Sequence, residues 1–155
     1  MYIYIFDLDD TLLHKPYKNY SDIYYDSKLD NLLTRLNGTK YIFTNATTTH
    51  AVKSLQRLGI LHHFTDIYSR NKVKMKPHIN GYKIINNQLM IDLIALDYNI
   101  FSENQIVFFD DRPENLQTAK LVDWKTVYVG KPRESLPFVD VVSHQNIYNA
   151  INYFI

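Results

Sequence analysis

The acidic segment near the N-terminus has the residue types and the spacing that chemistry on a charged group requires. Asp7, Asp9 and Asp10 directly follow a β-branched and aromatic run at residues 2–6. If the extended conformation continues, Asp7 and Asp9 project to one face and Asp10 turns away, because side chains alternate along a strand. Neighbouring carboxylates repel each other unless a cation or a shared proton neutralises them. The pair therefore suits a metal site or an acid/base dyad.

Further polar groups occur at the ends of predicted strands or at the starts of predicted helices. They are Thr44 and Asn45 after residues 41–43, Lys76 before Pro77, and Asp110 and Asp111 after residues 106–109. Each group taken alone has a structural explanation as a turn, a helix cap or a solvated charge. Their joint occurrence in this order favours one shared functional site.

Apolar runs and segments of helical spacing alternate along the chain. The predicted strands cover residues 2–6, 41–43, 64–68, 106–109, 126–129 and 139–142. The predicted helices begin at a cap on Asp26 or Ser27, at a cap on Thr48 or Thr49, at Pro77, at Pro113 and at about Gln145. Gly38 and Gly59 are expected to end the first two, and the third extends to Tyr98 as one helix or two. Residues 13–25 are expected to form a short irregular hairpin or flap.

This alternation predicts an α/β fold, a three-layer sandwich with a mostly parallel central sheet. The chain has 155 residues, 46% of them hydrophobic and 21% charged, which is typical of a folded globular protein. Its length predicts one domain over residues 1–155. In such folds ligands bind beyond the carboxyl ends of the strands, where the polar groups occur.

Composition argues against several classes of function. The formal net charge is +1, so no global basic field indicates binding to nucleic acid or to a membrane, and nucleic acid is expected only as a substrate. The chain lacks cysteine, which excludes disulfides and thiolate metal sites. Its N-terminus has no basic leader and no apolar run of about 20 residues occurs, so we expect a cytoplasmic protein. The six histidines are scattered, and His62-His63 is interpreted as a helix-end or loop pair.

The polar groups, in this order, resemble the four motifs of the haloacid dehalogenase-like hydrolase superfamily, most of whose members are magnesium-dependent phosphatases. The resemblance extends from Phe6 to about Asn115 and includes the string FDLDDTL. It implies a Rossmann-like core in which Asp7 attacks phosphorus and becomes an aspartyl phosphate. It also implies that Asp9 protonates the leaving oxygen and then deprotonates the hydrolytic water.

The same resemblance assigns the phosphoryl group to Thr44, Asn45 and Lys76. The Thr44 hydroxyl would donate to the phosphoryl oxygens, assisted by the backbone amide of Asn45. Lys76 would neutralise charge on both the phosphoryl group and Asp7. Lys74 is a weaker match to this motif.

The resemblance also implies a Mg²⁺ site formed by Asp7, Asp9, Asp110 and Asp111. Asp9 would contribute its backbone carbonyl. Asp111 is the expected direct ligand, with Asp110 behind it or bridged by water. Two interpretations of Asn115 stay open: it orients a metal-bound water, or it faces the helix.

The intervals between the motifs are too short for the cap domain that selects the substrate in many family members. One flap and one helix separate Asp7 from Thr44, and one helix and one extended segment separate Thr44 from Lys76. Residues 80–104 either extend the fold or form a subunit contact, so a homo-oligomer is left open. An open site admits phosphoproteins, polynucleotide ends and small metabolites including nucleotides.

One branch of the superfamily shares more of the local sequence. Residues 43–46, 76–78 and 109–111 look like the corresponding motifs of the pyrimidine 5′-nucleotidase-like branch, whose members normally have a helical cap. Two other classes are the alternatives. A receiver-like signalling domain also combines a phosphoacceptor Asp, a magnesium site, a Thr and a Lys on a parallel sheet, but in a different order along the chain. A non-catalytic scaffold of the same fold is the second alternative.

Overall fold

Strands and helices alternate in the computed structural model, which describes residues 2–95, 105–133, 136–143 and 146–155. The strands are β1 (Ile3–Phe6), β2 (Thr39–Phe43), β3 (Asp66–Tyr68), β4 (Ile106–Asp110), β5 (Lys125–Tyr128) and β6 (Val141–Val142). The helices are α1 (Ser27–Arg35), α2 (Thr48–Leu58), α3 (Ile79–Ala95), α4 (Pro113–Leu121) and α5 (Ile147–Asn152). Short 3₁₀ turns occupy Tyr20–Asp22 and Leu61–His63. None of the helices in the described ranges is long and apolar enough to cross a membrane.

The six strands form one sheet in the order β3-β2-β1-β4-β5-β6, and every neighbouring pair is parallel. Phe6 is in register with Ile42 on β2 and with Phe109 on β4. The strand order reverses direction between β1 and β4, which is the switch point where ligands bind in such sheets. The predicted α/β sandwich with a parallel sheet is confirmed.

Side chains of the central strands alternate between two buried layers. Tyr4 and Phe6 pack on the layer that contains α1, α2 and α5, whereas Ile3 and Ile5 pack on the layer that contains α3 and α4. This period of two is why β1 is apolar at every position, since both of its faces are covered. The sheet is thus rigidly held between two helical layers.

The start of α1 agrees with one of the two predicted caps. The Asp26 carboxylate accepts a hydrogen bond from the N–H of Leu29 at 3.0 Å. The helix ends at Arg35, with Leu36 as its cap in extended conformation, so it stops before Gly38, the predicted end. Gly38 has a φ of 152°. A side chain at Gly38 would approach the carbonyl oxygen of Tyr2 to 2.5 Å, so the turn before β2 requires glycine.

The cap of α2 lies one residue before the predicted position. Thr47, rather than Thr48 or Thr49, has the extended backbone of a cap, and its hydroxyl accepts from the N–H of His50 at 3.2 Å. Thr48 already has helical geometry. Gly59 ends the helix in the left-handed conformation, with a φ of 77°, as predicted.

The start of α3 also differs from the prediction. The helix begins at Ile79, because Pro77 lies in a turn in which the N–H of His78 donates to the carbonyl of Met75. The predicted continuation to Tyr98 lies beyond residue 95, outside the described residues. The turn directs Lys76 away from α3 and toward the sheet.

The last two elements are shorter than predicted. Strand β6 covers only Val141–Val142. Asp140 precedes it, and its carboxylate accepts from the N–H of Thr126 at 2.8 Å. Helix α5 begins at Ile147, with the side chain of Asn146 as its cap. Gln145, the predicted start, lies outside the described residues.

Candidate active site

Three residues that are distant in sequence meet beyond the carboxyl ends of β1 and β4. The ammonium nitrogen of Lys76 lies 2.8 Å from Oδ1 of Asp7 and 2.8 Å from Oδ2 of Asp110. Asp7 follows β1, and Asp110 is the last residue of β4. All three side chains are buried. The parallel register therefore brings the predicted nucleophile, the lysine and one predicted acid into direct contact.

Lys76 retains its charge in this buried position. Burial alone lowers its pKa, but the carboxylates of Asp110 and Asp7 outweigh burial, and the net shift is upward. The rings of Phe43 and Phe108 lie 5.2 and 5.3 Å from its nitrogen. This aromatic surround favours a cation and excludes water from it.

The carboxylates around Asp7 are crowded. Burial first, and the charge of Asp110 second, raise the pKa of Asp7 well above its usual range, although Lys76 opposes the shift. Burial and Asp110 likewise raise the pKa of Asp111 to about 6. One carboxylate oxygen from each of these three residues lies within 4.8 Å of the others. A divalent cation would relieve this repulsion, so the all-oxygen donor set fits Mg²⁺.

The two adjacent acids after β4 have different surroundings. Oδ2 of Asp110 accepts from Lys76 and from Nδ2 of Asn115 at 3.0 Å, and Oδ1 accepts from the N–H of Arg112 at 2.8 Å. Asp111 is less buried; its carboxyl shares a hydrogen bond with Asp7 and lies 3.5 Å from the hydroxyl of Thr11. Asp110 is thus held by three donors, whereas Asp111 is the more exposed acid of the two.

Asn115 has a position that neither sequence interpretation described. Its side chain donates to Asp110, and its backbone carbonyl accepts from the Tyr82 hydroxyl at 2.7 Å. Asn115 is buried in this arrangement. Its observed contacts orient Asp110.

Asp9 lies apart from the three crowded carboxylates. The extended conformation ends at Asp7, because the carbonyl of Leu8 accepts from the N–H groups of Thr11 and Leu13 and so forms a turn. Oδ1 of Asp9 instead lies 2.9 Å from Nε2 of His50, on the first turn of α2. The strand therefore does not continue to Asp9, as the expected shared face of Asp7 and Asp9 would require, and the backbone forms a turn instead.

A second contact fixes the ring of His50. Its Nδ1 lies 2.8 Å from the hydroxyl of Tyr20, in the flap. Two successive contacts thus link Tyr20 to His50 and His50 to Asp9. Sequence reasoning missed this link, because the three residues are far apart in the sequence. The position of His50, on the helix that follows Thr44, was the available signal.

Thr44 and Asn45 occupy the turn after β2. The Thr44 oxygen accepts from the N–H of Ala46 at 3.0 Å, which leaves the hydroxyl hydrogen to donate. The side chain of Asn45 makes two hydrogen bonds to the backbone of Lys76, at 2.7 Å to its N–H and 3.0 Å to its carbonyl. Asn45 thus positions Lys76, a role that sequence reasoning did not assign.

The fold and this arrangement were compared with known proteins. No family model matches the sequence, and no curated protein sequence matches it. Among solved structures, the HAD-hydrolase YfnB of Bacillus subtilis has 12% identity and a TM-score of 0.69, over 99% of this chain and 98% of that chain. A haloacid dehalogenase-like family protein of Streptococcus pneumoniae has 15% identity and a TM-score of 0.67, over 100% and 99%.

The L-2-haloacid dehalogenase of Xanthobacter autotrophicus has 13% identity and a TM-score of 0.63, over 86% of this chain and 62% of that chain. The chain has the haloacid dehalogenase-like fold. The predicted resemblance is thereby confirmed at the level of fold. At these identities the haloacid dehalogenase-like fold is what the likeness shows.

The intervals of this haloacid dehalogenase-like core contain no cap domain in the described ranges. Between Asp7 and Thr44 the structure has the flap with its 3₁₀ turn, α1 and β2; between Thr44 and Lys76 it has α2, a 3₁₀ turn and β3. A cleft of about 800 Å³ adjoins the site. Its lining includes Asp10, Thr11, His14, Asp111, Lys131 and Arg133.

Lys74 lies away from this cleft. It is exposed and lines a separate depression of about 840 Å³ together with Arg70 and Lys72. Lys72 pairs with Asp66 at 2.7 Å. Of the two lysines considered from sequence, Lys76 is the one that contacts Asp7.

Proposed function

We propose that this protein is a magnesium-dependent phosphomonoester hydrolase that acts through an aspartyl phosphate on Asp7, with Asp9 as the general acid and base. The observation that supports this most strongly is the buried ammonium group of Lys76 between Asp7 and Asp110, at 2.8 Å from each. A buried cation beside a carboxylate at the switch point of the sheet is suited to hold a phosphate against that carboxylate.

In the proposed first step, a carboxylate oxygen of Asp7 forms a bond to phosphorus as the bond to the leaving oxygen breaks. Asp9 transfers its proton to that oxygen, and the alcohol departs. In the second step the Asp9 carboxylate takes a proton from water, the resulting oxygen attacks phosphorus, and the bond to Asp7 breaks. Inorganic phosphate leaves, and both aspartates return to their starting states.

The surrounding groups supply charge and orientation. Lys76 reduces the repulsion between the Asp7 carboxylate and a phosphate dianion. The Thr44 hydroxyl retains a hydrogen that can donate to a phosphoryl oxygen. Asp110 and Asn45 hold Lys76 from its side chain and its backbone, respectively.

Asp7, Asp111 and the backbone carbonyl of Asp9 would hold Mg²⁺, with Asp110 behind them. The ion, when bound, would neutralise charge on the phosphoryl oxygens. The crowding that raises the pKa of Asp7 and Asp111 supports a cation at this position. The related fold of YfnB was determined bound to magnesium.

We propose that the cleft admits phosphoproteins, polynucleotide ends and small metabolites including nucleotides as substrates. The cleft beside Asp111 has no cap over it in the described ranges, and Lys131 and Arg133 line it. Such cations favour substrates that carry negative charge beyond the reacting phosphate.

The mechanism predicts that Asp7→Asn lowers the turnover number on an aryl phosphate with Mg²⁺ by at least about a thousandfold. Asp92→Asn is the matched control, since Asp92 lies on α3 and receives a hydrogen bond from Gln88. Acid quench followed by mass spectrometry should find covalent phosphate on Asp7 of the wild type. Full Mg²⁺-dependent activity in Asp7→Asn would refute the mechanism.

The receiver-like alternative is disfavoured by topology. Receiver domains have the strand order 2-1-3-4-5, whereas the order here is 3-2-1-4-5-6. A stable phosphoaspartate without turnover would nevertheless support it. Absence of both phosphoaspartate and turnover would support the non-catalytic scaffold.

A further inference from the structure

A second group of metal-ligating side chains lies outside the proposed active site. It consists of Asp30 on α1 and of His62 and His63 on the 3₁₀ turn after α2. Oδ1 of Asp30 lies 2.6 Å from Nε2 of His63 and 3.5 Å from Nε2 of His62. One ligand atom from each residue lies within 4.8 Å of the others. The fold thus brings Asp30 next to the adjacent histidines His62 and His63, and the three residues form one cluster.

The contacts around Asp30 orient it toward both imidazoles. The hydroxyl of Tyr25 donates to the other carboxylate oxygen, Oδ2, at 2.6 Å. This leaves Oδ1 as the atom that faces His62 and His63. Hydrogen bonds of this kind from behind a ligand fix its orientation in protein metal sites.

The two rings lie side by side, with their centroids 4.1 Å apart. The His63 side chain is 9% exposed and is held by the fold, whereas that of His62 is 65% exposed. The cluster is therefore anchored on one side and open to solvent on the other. An ion could enter without rearrangement of the core, and water could complete its coordination.

We propose that Asp30, His62 and His63 form a binding site for Zn²⁺ or a divalent transition metal of similar ligand preference. Two imidazole nitrogens and one carboxylate oxygen suit zinc, whereas Mg²⁺ prefers oxygen ligands alone. On binding, the ion takes the place of the hydrogen on Nε2 of His63 that faces Asp30. That proton shifts to Nδ1 when the ring is neutral and is released to water when the ring is charged, so the bound imidazole is neutral with its proton on Nδ1. The site shares no residue with the Asp7 group and does not depend on the proposed activity.

The ion would connect two parts of the chain that are distant in sequence. Asp30 belongs to α1, and the histidines precede β3. Because a ligand that binds only the folded state stabilises it, Zn²⁺ should raise the melting temperature of the protein.

The test is calorimetric titration of the full chain with Zn²⁺ in excess Mg²⁺, which occupies the all-oxygen group. We expect one equivalent to bind to the wild type and to raise its melting temperature. His62→Gln should weaken binding by at least about tenfold, since loss of even an outer hydrogen-bond partner weakens metal sites about 10–100-fold. His62 is exposed, so this variant should fold.

Two further variants separate a built site from adventitious binding by surface histidines. Tyr25→Phe removes only the hydrogen bond to Asp30 and should weaken Zn²⁺ binding by about tenfold. His78→Gln, at an exposed histidine outside the cluster, should leave binding unchanged. The proposal is overturned if the wild type binds no Zn²⁺, or if His62→Gln or Tyr25→Phe binds it as the wild type does. It is equally overturned if binding is lost in Asp111→Asn, because the ion would then occupy the Asp7 group.

Discussion

Two carboxylate groups in this molecule have opposite electrostatic environments. Around Asp7, burial and the charge of Asp110 raise the pKa of Asp111 to about 6 and that of Asp7 well above normal. Around Asp30, hydrogen bonds from Tyr25 and then His63 lower the pKa of its carboxyl. The chain's own donors satisfy Asp30. The Asp7 group, by contrast, holds more negative charge than Lys76 can neutralise.

The two groups therefore differ in whether the protein itself offsets their negative charge. The crowded group disfavours its own ionised state, and a bound cation would relieve that repulsion. The Asp30 group is stable as it stands, and a metal there would substitute for an existing hydrogen bond. The comparison predicts that removing a donor has a far larger effect in the first group than in the second.

The largest expected effect is that of Lys76→Met, which removes the only ammonium group hydrogen-bonded to Asp7 and Asp110 in the described residues. Phosphatase activity should fall by at least about a thousandfold. The free energy of unfolding at neutral pH should fall by about 3–5 kcal/mol, because buried charge is left without a partner. Urea unfolding at neutral and mildly acidic pH measures this. The variant should regain stability at lower pH, as Asp7 becomes protonated.

Lys72→Met is the matched control, because Lys72 makes an ion pair with Asp66 at the surface. It should change the free energy of unfolding by no more than about 1 kcal/mol. Equal losses of stability in the two variants would contradict the contrast between a crowded buried group and a solvated pair.

A smaller effect is expected from His50→Ala, because Asp9 lies outside the crowded group and, like Asp30, is held by a histidine. Loss of the contact at 2.9 Å leaves Asp9 without its orienting partner. Turnover of an alkyl phosphate should fall by about 10²-fold at most, the low end of what general acid catalysis contributes. An aryl phosphate, whose leaving group needs less protonation, should be affected less.

Tyr20→Phe should show the same leaving-group dependence with a smaller amplitude, since Tyr20 acts on Asp9 through His50. Steady-state kinetics on matched alkyl and aryl substrates measures both variants. Equal slowing of the two substrates would indicate that His50 does not act through proton transfer by Asp9.

The smallest effect concerns the stability of the metal-free protein as a function of pH. The pKa of Asp111 is about 6 in the folded state and about 3.9 when unfolded, so the folded state binds more protons between these values. Its contribution to stability is therefore lost as pH rises through this window. The lowered pKa of Asp30 acts in the opposite sense: its contribution is present above about pH 3.9 and is lost as pH falls through the folded-state pKa.

Urea unfolding in EDTA across this range should accordingly distinguish two variants. Asp111→Asn should reduce the loss of stability toward neutral pH, with the remainder due to Asp7, and Asp30→Asn should reduce the loss toward acid. Mg²⁺ should restore stability to the wild type near neutral pH and leave Asp111→Asn little changed. Parallel pH profiles for wild type and Asp111→Asn would show that the crowding at Asp7 does not oppose folding.

Much of this architecture follows from local sequence. The apolar runs that end in Asp7, Thr44 and Asp110 mark buried strands, and their parallel arrangement places those ends at one edge. The catalytic roles assigned to these residues stay predictions. The location of the α2 cap was wrong by one residue, because Thr47, Thr48 and Thr49 are all competent caps and the path of the preceding turn selects among them.

The contacts that sequence could not predict join residues far apart in the chain. Asp9 and His50 are 41 positions apart, and Asp30 and His63 are 33 apart. Neither pair has a local spacing that signals it, since each depends on how α1 and α2 pack on the sheet. Pro77 does not start the helix as predicted, because it lies in the turn that directly follows Lys76 and α3 begins at Ile79.

The two hydrogen bonds between Asn45 and Lys76 make the geometry of the site independent of the length of the chain between these residues. These residues are 31 positions apart, yet the loop after β2 and the loop of Lys76 are fastened directly to each other. We expect a segment inserted in the loop between α2 and β3 to leave that junction in place, because neither hydrogen bond passes through the loop. A shortened α2 would have a different effect, since Ala51 and Leu55 belong to the core and His50 contacts Asp9.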